Sequence, residues 1–236
     1  MIDNFDIIRK HLDFKTPTDR YIVHILRRPK DCQQLKNSLG SNEAQRLIRT
    51  YYIDSLEYFD AKIPAMKELC ESCNARAYII VQPKDNFECL LNLGKKIFDT
   101  IQNKNYSVKP EHLIRQAYCE WHKTRNKQWV LDLDNDEMTE YLVDKNGHPN
   151  GNKVWTKEEV MEIVQEELKA CGKDPTLAYI VPSRHGYSLI TPPFNLLSAY
   201  KKCSLMFEGR RQISNVQLTG WLHKDGMVNL FIPDFN

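Results

Sequence analysis

The sequence has no apolar run long enough to cross a bilayer; its purest stretches, such as Ala77–Val81 and Leu189–Ile190, are only a few residues each. It also lacks a secretory signal pattern. The opening MIDNFDIIRKHLDF mixes charges with apolar residues instead of placing a charged start before an apolar core. It reads as a short amphipathic helix with Phe5, Ile8 and Leu12 on one face. There is no internal repeat of useful length and no low-complexity tract. An excess of one charge is missing too: 33 basic side chains stand against 31 acidic ones, a net +2 in 236 residues. That excludes a generally basic nucleic-acid wrapper and confines any nucleic-acid contact to local patches. Cysteines are few, odd in number and scattered: Cys32, Cys70, Cys73, Cys89, Cys119, Cys171 and Cys203. Together these absences predict reduced thiols, a cytoplasmic location and no membrane partner. Cys70-Glu-Ser-Cys73 and Cys119-Glu-Trp-His122 carry four potential zinc ligands. No glycine-rich knuckle surrounds either pair, and both read as small residues on helices.

What is present suits a folded chain: 42% hydrophobic and 27% charged residues, over a length that fits one large domain or two small ones. Tyr21–Leu26 predicts a strand stopped by Pro29, and Leu47, Ile48, Tyr51, Tyr52, Leu56 and Phe59 recur at helical spacing up to Cys73, with Pro64 expected to break that stretch. Ala77–Val81 predicts a second strand. Asp85 and Glu88 then open a helix with Leu90, Leu91, Ile97 and Ile101 inward. Pro110 suits the first turn of a further helix. Gln128–Asp134 is the third strand, and the polar stretch Asp144–Lys153 is a loop or lid. Thr156 and Glu159 form a capping box for a helix that ends at Gly172. Two strands flank the turn Pro182–Gly186, and a helix is expected near Leu196–Leu205. A closing hairpin is expected from Val216–Leu222 and Met227–Ile232 about Lys224-Asp225-Gly226. This order predicts an α+β fold with helices packed on a mixed or antiparallel sheet, in which residues 1–75 form a mostly helical region packed on a core of residues 76–236.

The most informative segment is Trp129-Val130-Leu131-Asp132-Leu133-Asp134. Alternation on a strand puts Trp129, Leu131 and Leu133 on one face and Asp132 and Asp134 on the other. Two carboxylates two residues apart repel, and a divalent cation removes that repulsion; hard oxygen donors suit magnesium or manganese. Such a pair can support phosphoryl transfer from a nucleoside triphosphate. Three families place an acid pair on such a strand. The haloacid-dehalogenase-type phosphatases do not fit, because Asp136 stands where they want Thr or Val and because this strand is the third. Metal-dependent nucleotide-sugar transferases usually follow a half with several parallel strands.

The third is the archaeo-eukaryotic primase superfamily, which includes primase-polymerases. Downstream, Tyr179-Ile-Val-Pro-Ser-Arg-His-Gly-Tyr-Ser-Leu-Ile-Thr191 resembles that family's second motif, a small residue, any residue and His on a strand beside a glycine turn. The layout resembles divergent primase-like proteins of phages and mobile elements, over about residues 75–232. The resemblance implies a primase-like (RRM-like) catalytic core and a metal-dependent nucleotidyltransferase using magnesium or manganese. It implies a nucleoside triphosphate and a DNA or RNA template as partners, a place in replication beside other replication proteins, and, for a phage protein, the cytoplasm of a bacterial host. Asp132 and Asp134 would be catalytic and metal-binding. Ser183, Arg184, His185 and Ser188 would meet the nucleotide; in the usual frame Ser188 stands where the family has His. The family's third acid has only Asp225 as a candidate. Arg27, Arg28 and Lys30, beside Arg20, form one basic patch for nucleic acid, and Lys201, Lys202, Arg210 and Arg211 form another. A non-catalytic nucleic-acid- or partner-binding protein of the same fold is the second expectation, and the nucleotide-sugar transferase is the third.

Overall fold

The structure, a computed structural model, describes residues 1–28, 46–105, 107–119, 127–134, 139–143, 149–196, 198–199, 222–223 and 226–234. In chain order the elements begin β1 (Ile2–Asp3), α1 (Phe5–Arg9), β2 (Asp19–Arg27), β3 (Arg46–Ile53), α2 (Leu56–Ser72), β4 (Arg76–Asp85), α3 (Asn86–Gln102) and α4 (Pro110–Cys119). They continue with β5 (Trp129–Asp134), β6 (Thr139–Val143), β7 (Pro149–Val154), α5 (Lys157–Ala170), a 3₁₀ turn (Pro175–Leu177), β8 (Tyr179–Pro182), β9 (Gly186–Thr191), β10 (Leu222–His223) and β11 (Met227–Ile232). The fold is α+β. Among the described residues a five-stranded sheet runs β1-β11-β4-β2-β3, a four-stranded sheet runs β10-β5-β9-β8, and β6 and β7 form a hairpin; every described pairing is antiparallel.

Alternation along β2 decides the layers. Tyr21, Val23 and Ile25 enter the larger core, with α1, α2 and the inner face of β4. Ile22 points the other way, to Ile80, Cys89 and Tyr118. The larger core also takes Val130, Val181 and Ile190 from the second sheet, so the two sheets share it. The opposite face of the second sheet packs Trp129, Leu131, Leu133 and Leu189 against Val160, Val164 and Leu168 of α5. Polar bridges join the sheets as well: the Asn4 amide donates to Pro182 O of β8 (2.9 Å) and Asn229 O of β11 (2.8 Å), and Gln82 donates to Gln128 O.

Local chemistry accounts for the helix ends. Thr156 accepts from Glu159 N while the Glu159 carboxylate accepts from Thr156 N, the capping box expected for α5. Beyond its end Gly172 takes φ +69°, and Lys173 N donates to Leu168 O (2.9 Å), a C-terminal lock that favours glycine. Asp85 caps α3 through Phe87 N and Glu88 N.

Several expectations are corrected. The stretch 46–53 is a strand, not helix: Tyr51 and Ile53 alternate into the core and the segment pairs with β2. The described part of residues 1–75 is therefore not mostly helical; it supplies three of the five strands of the larger sheet. Pro64 lies inside an uninterrupted α2, which starts from the Ser55 cap. Leu90, Leu91, Ile97 and Ile101 of α3 point outward; Cys89 is the buried position of that helix. Part of the loop expected at Asp144–Lys153 is strand β7, paired with β6. Among the described residues the closing hairpin is not formed: Leu222–His223 (β10) pairs with β5 in one sheet, and β11 pairs with β4 in the other. Residues 200–221, which include most of the expected helix and hairpin strand there, lie outside the described residues.

Candidate functional site

The acid-bearing strand β5 is interior to its sheet, with β10 on one side and β9 on the other. Its rows are ordered by polarity. Val130, Ile190 and Tyr179 sit in one row on β5, β9 and β8, and all three belong to or pack on the larger core. Asp132, Ser188 and Val181 form the next row, and the pairing ends with Asp134 opposite Gly186. Thus Asp132 is half-buried at the margin where the apolar row stops. Ser188 is 5% exposed, and its hydroxyl lies 3.5 Å from Asp132 Oδ1, the long limit of a hydrogen bond.

Immediately past that row the chain turns. Ser183 N donates to Gly186 O (2.9 Å), closing a tight turn whose two tip residues, Arg184 and His185, are exposed. Neighbouring strands lie about 5 Å apart and residues rise about 3.4 Å along them, so the turn stands within about 10 Å of the Asp134 end of β5. The structure thus brings together Asp132, Asp134, Ser183, Arg184, His185 and Ser188 at one end of one sheet. His185 sits in the turn, and the strand position opposite Asp132 is Ser188.

One cation near this end was not foreseen. Lys157, the first residue of α5, holds its ammonium 4.5 Å from the Tyr187 ring centroid, beside the residue that follows Gly186. Thirty residues separate Lys157 from Tyr187, and no short motif links them.

The donors described on this face are oxygens, the Asp132 carboxylate and the Ser188 hydroxyl, which suits magnesium or manganese. Magnesium takes one or two carboxylates, keeps several waters and completes its shell with phosphate oxygens, so a pair of aspartates is a sufficient protein donor set. No group of three or more His, Cys, Asp or Glu able to hold a metal occurs among the described residues. Asp225, the expected third acid, lies outside them, as do Lys30, Lys201, Lys202, Arg210 and Arg211.

The remaining basic candidates have local partners. Arg27 Nε donates to Cys73 O at the end of α2 (2.8 Å), and Arg28 donates to the Tyr78 hydroxyl (3.2 Å). Arg20 donates to Pro17 O and Asp19 O. Arg27 thereby satisfies a helix-terminal carbonyl, a structural task. The zinc set does not assemble among the described residues: Cys70 is fully buried in the larger core, where burial pushes its thiol up to about 12. Cys73 is half-buried nearby, while His122 and the Cys119 side chain lie outside the described residues.

No helix among the described residues is long and apolar enough to cross a membrane. Comparison of the chain with protein-family models, curated proteins and solved structures finds no match.

Proposed function

We propose that the chain is a primase-like, metal-dependent nucleotidyltransferase that binds a nucleoside triphosphate between the β5 acids and the β8–β9 turn. The observation that carries this reading is the register of β5 on β9. It puts Asp132 opposite Ser188 and runs from the acid end of β5 directly to the exposed Arg184 and His185. An acidic strand end beside a basic turn suits a triphosphate: cation on one side, guanidinium and imidazole on the other. Magnesium or manganese, when bound, neutralises the triphosphate and the leaving pyrophosphate. Asp132 and Asp134 hold that cation, and Arg184 and His185 hold the phosphates in place. The 3′-hydroxyl of a nucleic-acid strand then gives its proton to water and forms a bond to the α-phosphorus, as the bond to the bridging oxygen breaks and pyrophosphate leaves.

The test is nucleotide incorporation on a primed template with magnesium or manganese. Wild type is expected to incorporate. Asp132→Asn is expected to lose activity by at least about a hundredfold, the loss of charge stabilisation in the transition state. A wild type that neither incorporates nor is stabilised against heat by a metal-nucleotide sinks the proposal.

One observation favours a second reading, a protein of this fold that binds nucleic acid or a partner without catalysis. Ser188 occupies the strand position opposite Asp132 and offers only a hydroxyl there. That reading expects nucleic-acid binding indifferent to EDTA and to Asp132→Asn. A nucleotide-sugar transferase finds no support in a chain whose described strand pairs are all antiparallel.

A further inference from the structure

Helix α3 is turned inside out relative to its own hydrophobicity. Its inward side carries Cys89, Leu93, Lys96 and Thr100, and its outward side carries Phe87, Leu90, Leu91, Ile97, Phe98 and Ile101. These six are between 42% and 69% exposed. Monomeric proteins seldom leave a contiguous apolar face of this kind open to water.

The stripe has internal symmetry. Counted from Gly94, its members lie at −7, −4, −3, +3, +4 and +7 along the sequence. A second α3 laid antiparallel across Gly94 therefore sets Phe87 against Ile101, Leu90 against Phe98 and Leu91 against Ile97, apolar on apolar at each position. The spacing alternates three and four residues, the pattern of a helix seam. Gly94 stands at the centre, and a Cβ built there meets nothing within 4 Å. Glycine inside a helix costs about 1 kcal/mol relative to alanine, and among the described residues no contact calls for it here. A close crossing of two helices does.

Charge and area select the occupant. The charged residues of α3 are Glu88, Lys95, Lys96 and Asp99, which cancel and lie off the seam. A helix that settles on a lipid surface is usually rich in Lys and Arg on its polar face, and this one is not. Taking roughly 180 Å² for a large apolar side chain in the open, the stripe exposes on the order of 600 Å². Two copies together bury about 1,200 Å², which reaches the range of stable, specific interfaces. We infer that the chain forms a two-fold symmetric dimer through α3, the helices crossing antiparallel at Gly94.

Sedimentation of the full chain from about 1 to about 100 μM tests this, with Phe98→Glu and Gly94→Gln beside the wild type. Both substitutions fall in open space on the helix surface, so circular dichroism should be unchanged. The expected result is a wild-type dimer and, for each variant, a dissociation constant raised at least about tenfold. A wild type that stays monomeric throughout overturns the inference, whether α3 is covered by its own chain or binds neutral phosphatidylcholine vesicles instead. A dimer that survives both substitutions overturns it as well.

Discussion

His24 stands on the outer face of β2, where its Nδ1 lies 3.0 Å from the Thr50 hydroxyl across the strand pair. Burial holds its imidazole below the ordinary 6.5, and the charge of Arg115 acts in the same direction. The folded chain therefore leaves His24 neutral at a pH where the unfolded chain protonates it. The contribution to stability is complete above about pH 6.5 and is lost as pH falls through that value toward the lower folded one. His11, stacked at 3.5 Å on Tyr179, is lowered by burial too and adds to the same slope. Urea unfolding between pH 7.5 and about pH 5 should show stability falling in this window, with a visibly flatter fall in His24→Gln. Identical slopes for the two proteins would refute the assignment. At this scale the sequence was informative about the acids and the turn, because both are short local patterns. It was silent on Lys157 over Tyr187 and on Asn4, whose partners lie far away along the chain.

Helix α2 runs through Pro64 without a break, so one backbone donor is missing and the ring crowds the carbonyl one turn back. Phe59, Met66 and Cys70 on either side are fully buried and hold the helix onto the sheet. Packing thus outweighs the proline, which lies on the exposed side of the helix. Pro64→Ala should raise stability by about 1–3 kcal/mol in chemical denaturation; a loss of stability would mean that the proline shapes a curvature the core requires. The same contest explains the misread elements. In β3, Leu47, Ile48, Tyr51 and Tyr52 fit a helical stripe as well as a strand, and an irregularity beside Ile25 and Leu26 disturbs the two-residue alternation. For α3 the period was right and the direction wrong. Periodicity shows that a helix has two faces; it does not say which one meets the chain's own core. The β8–β9 hairpin and the Thr156–Glu159 capping box were legible because their chemistry is complete within a few residues.

Across the whole molecule, the two larger sheets are bound by a common core and by Asn4, which is 1% exposed. Its amide serves β8 in one sheet and β11 in the other. Asn4→Ala strands two carbonyls and should cost about 2–3 kcal/mol. Because the sheets share their core, the loss should appear as one earlier cooperative transition, coincident by tryptophan fluorescence and circular dichroism. Two separated transitions would show instead that the sheets fold as independent units.

The position of β11 has a consequence for how the chain comes into being. It lies between β1 and β4, yet it is spelled out at residues 227–232, long after β4 at 76–85. On the ribosome β4 can pair with β2 early, but its other edge must wait for most of the remaining sequence to be made. Until then a run of residues as apolar as Ala77–Val81 has an open backbone edge, the arrangement most prone to pair with a wrong strand. Closing so distant a pair is also slow. The larger sheet is therefore a structure whose assembly is governed by translation time, and faults made before β11 emerges would be aggregation rather than instability.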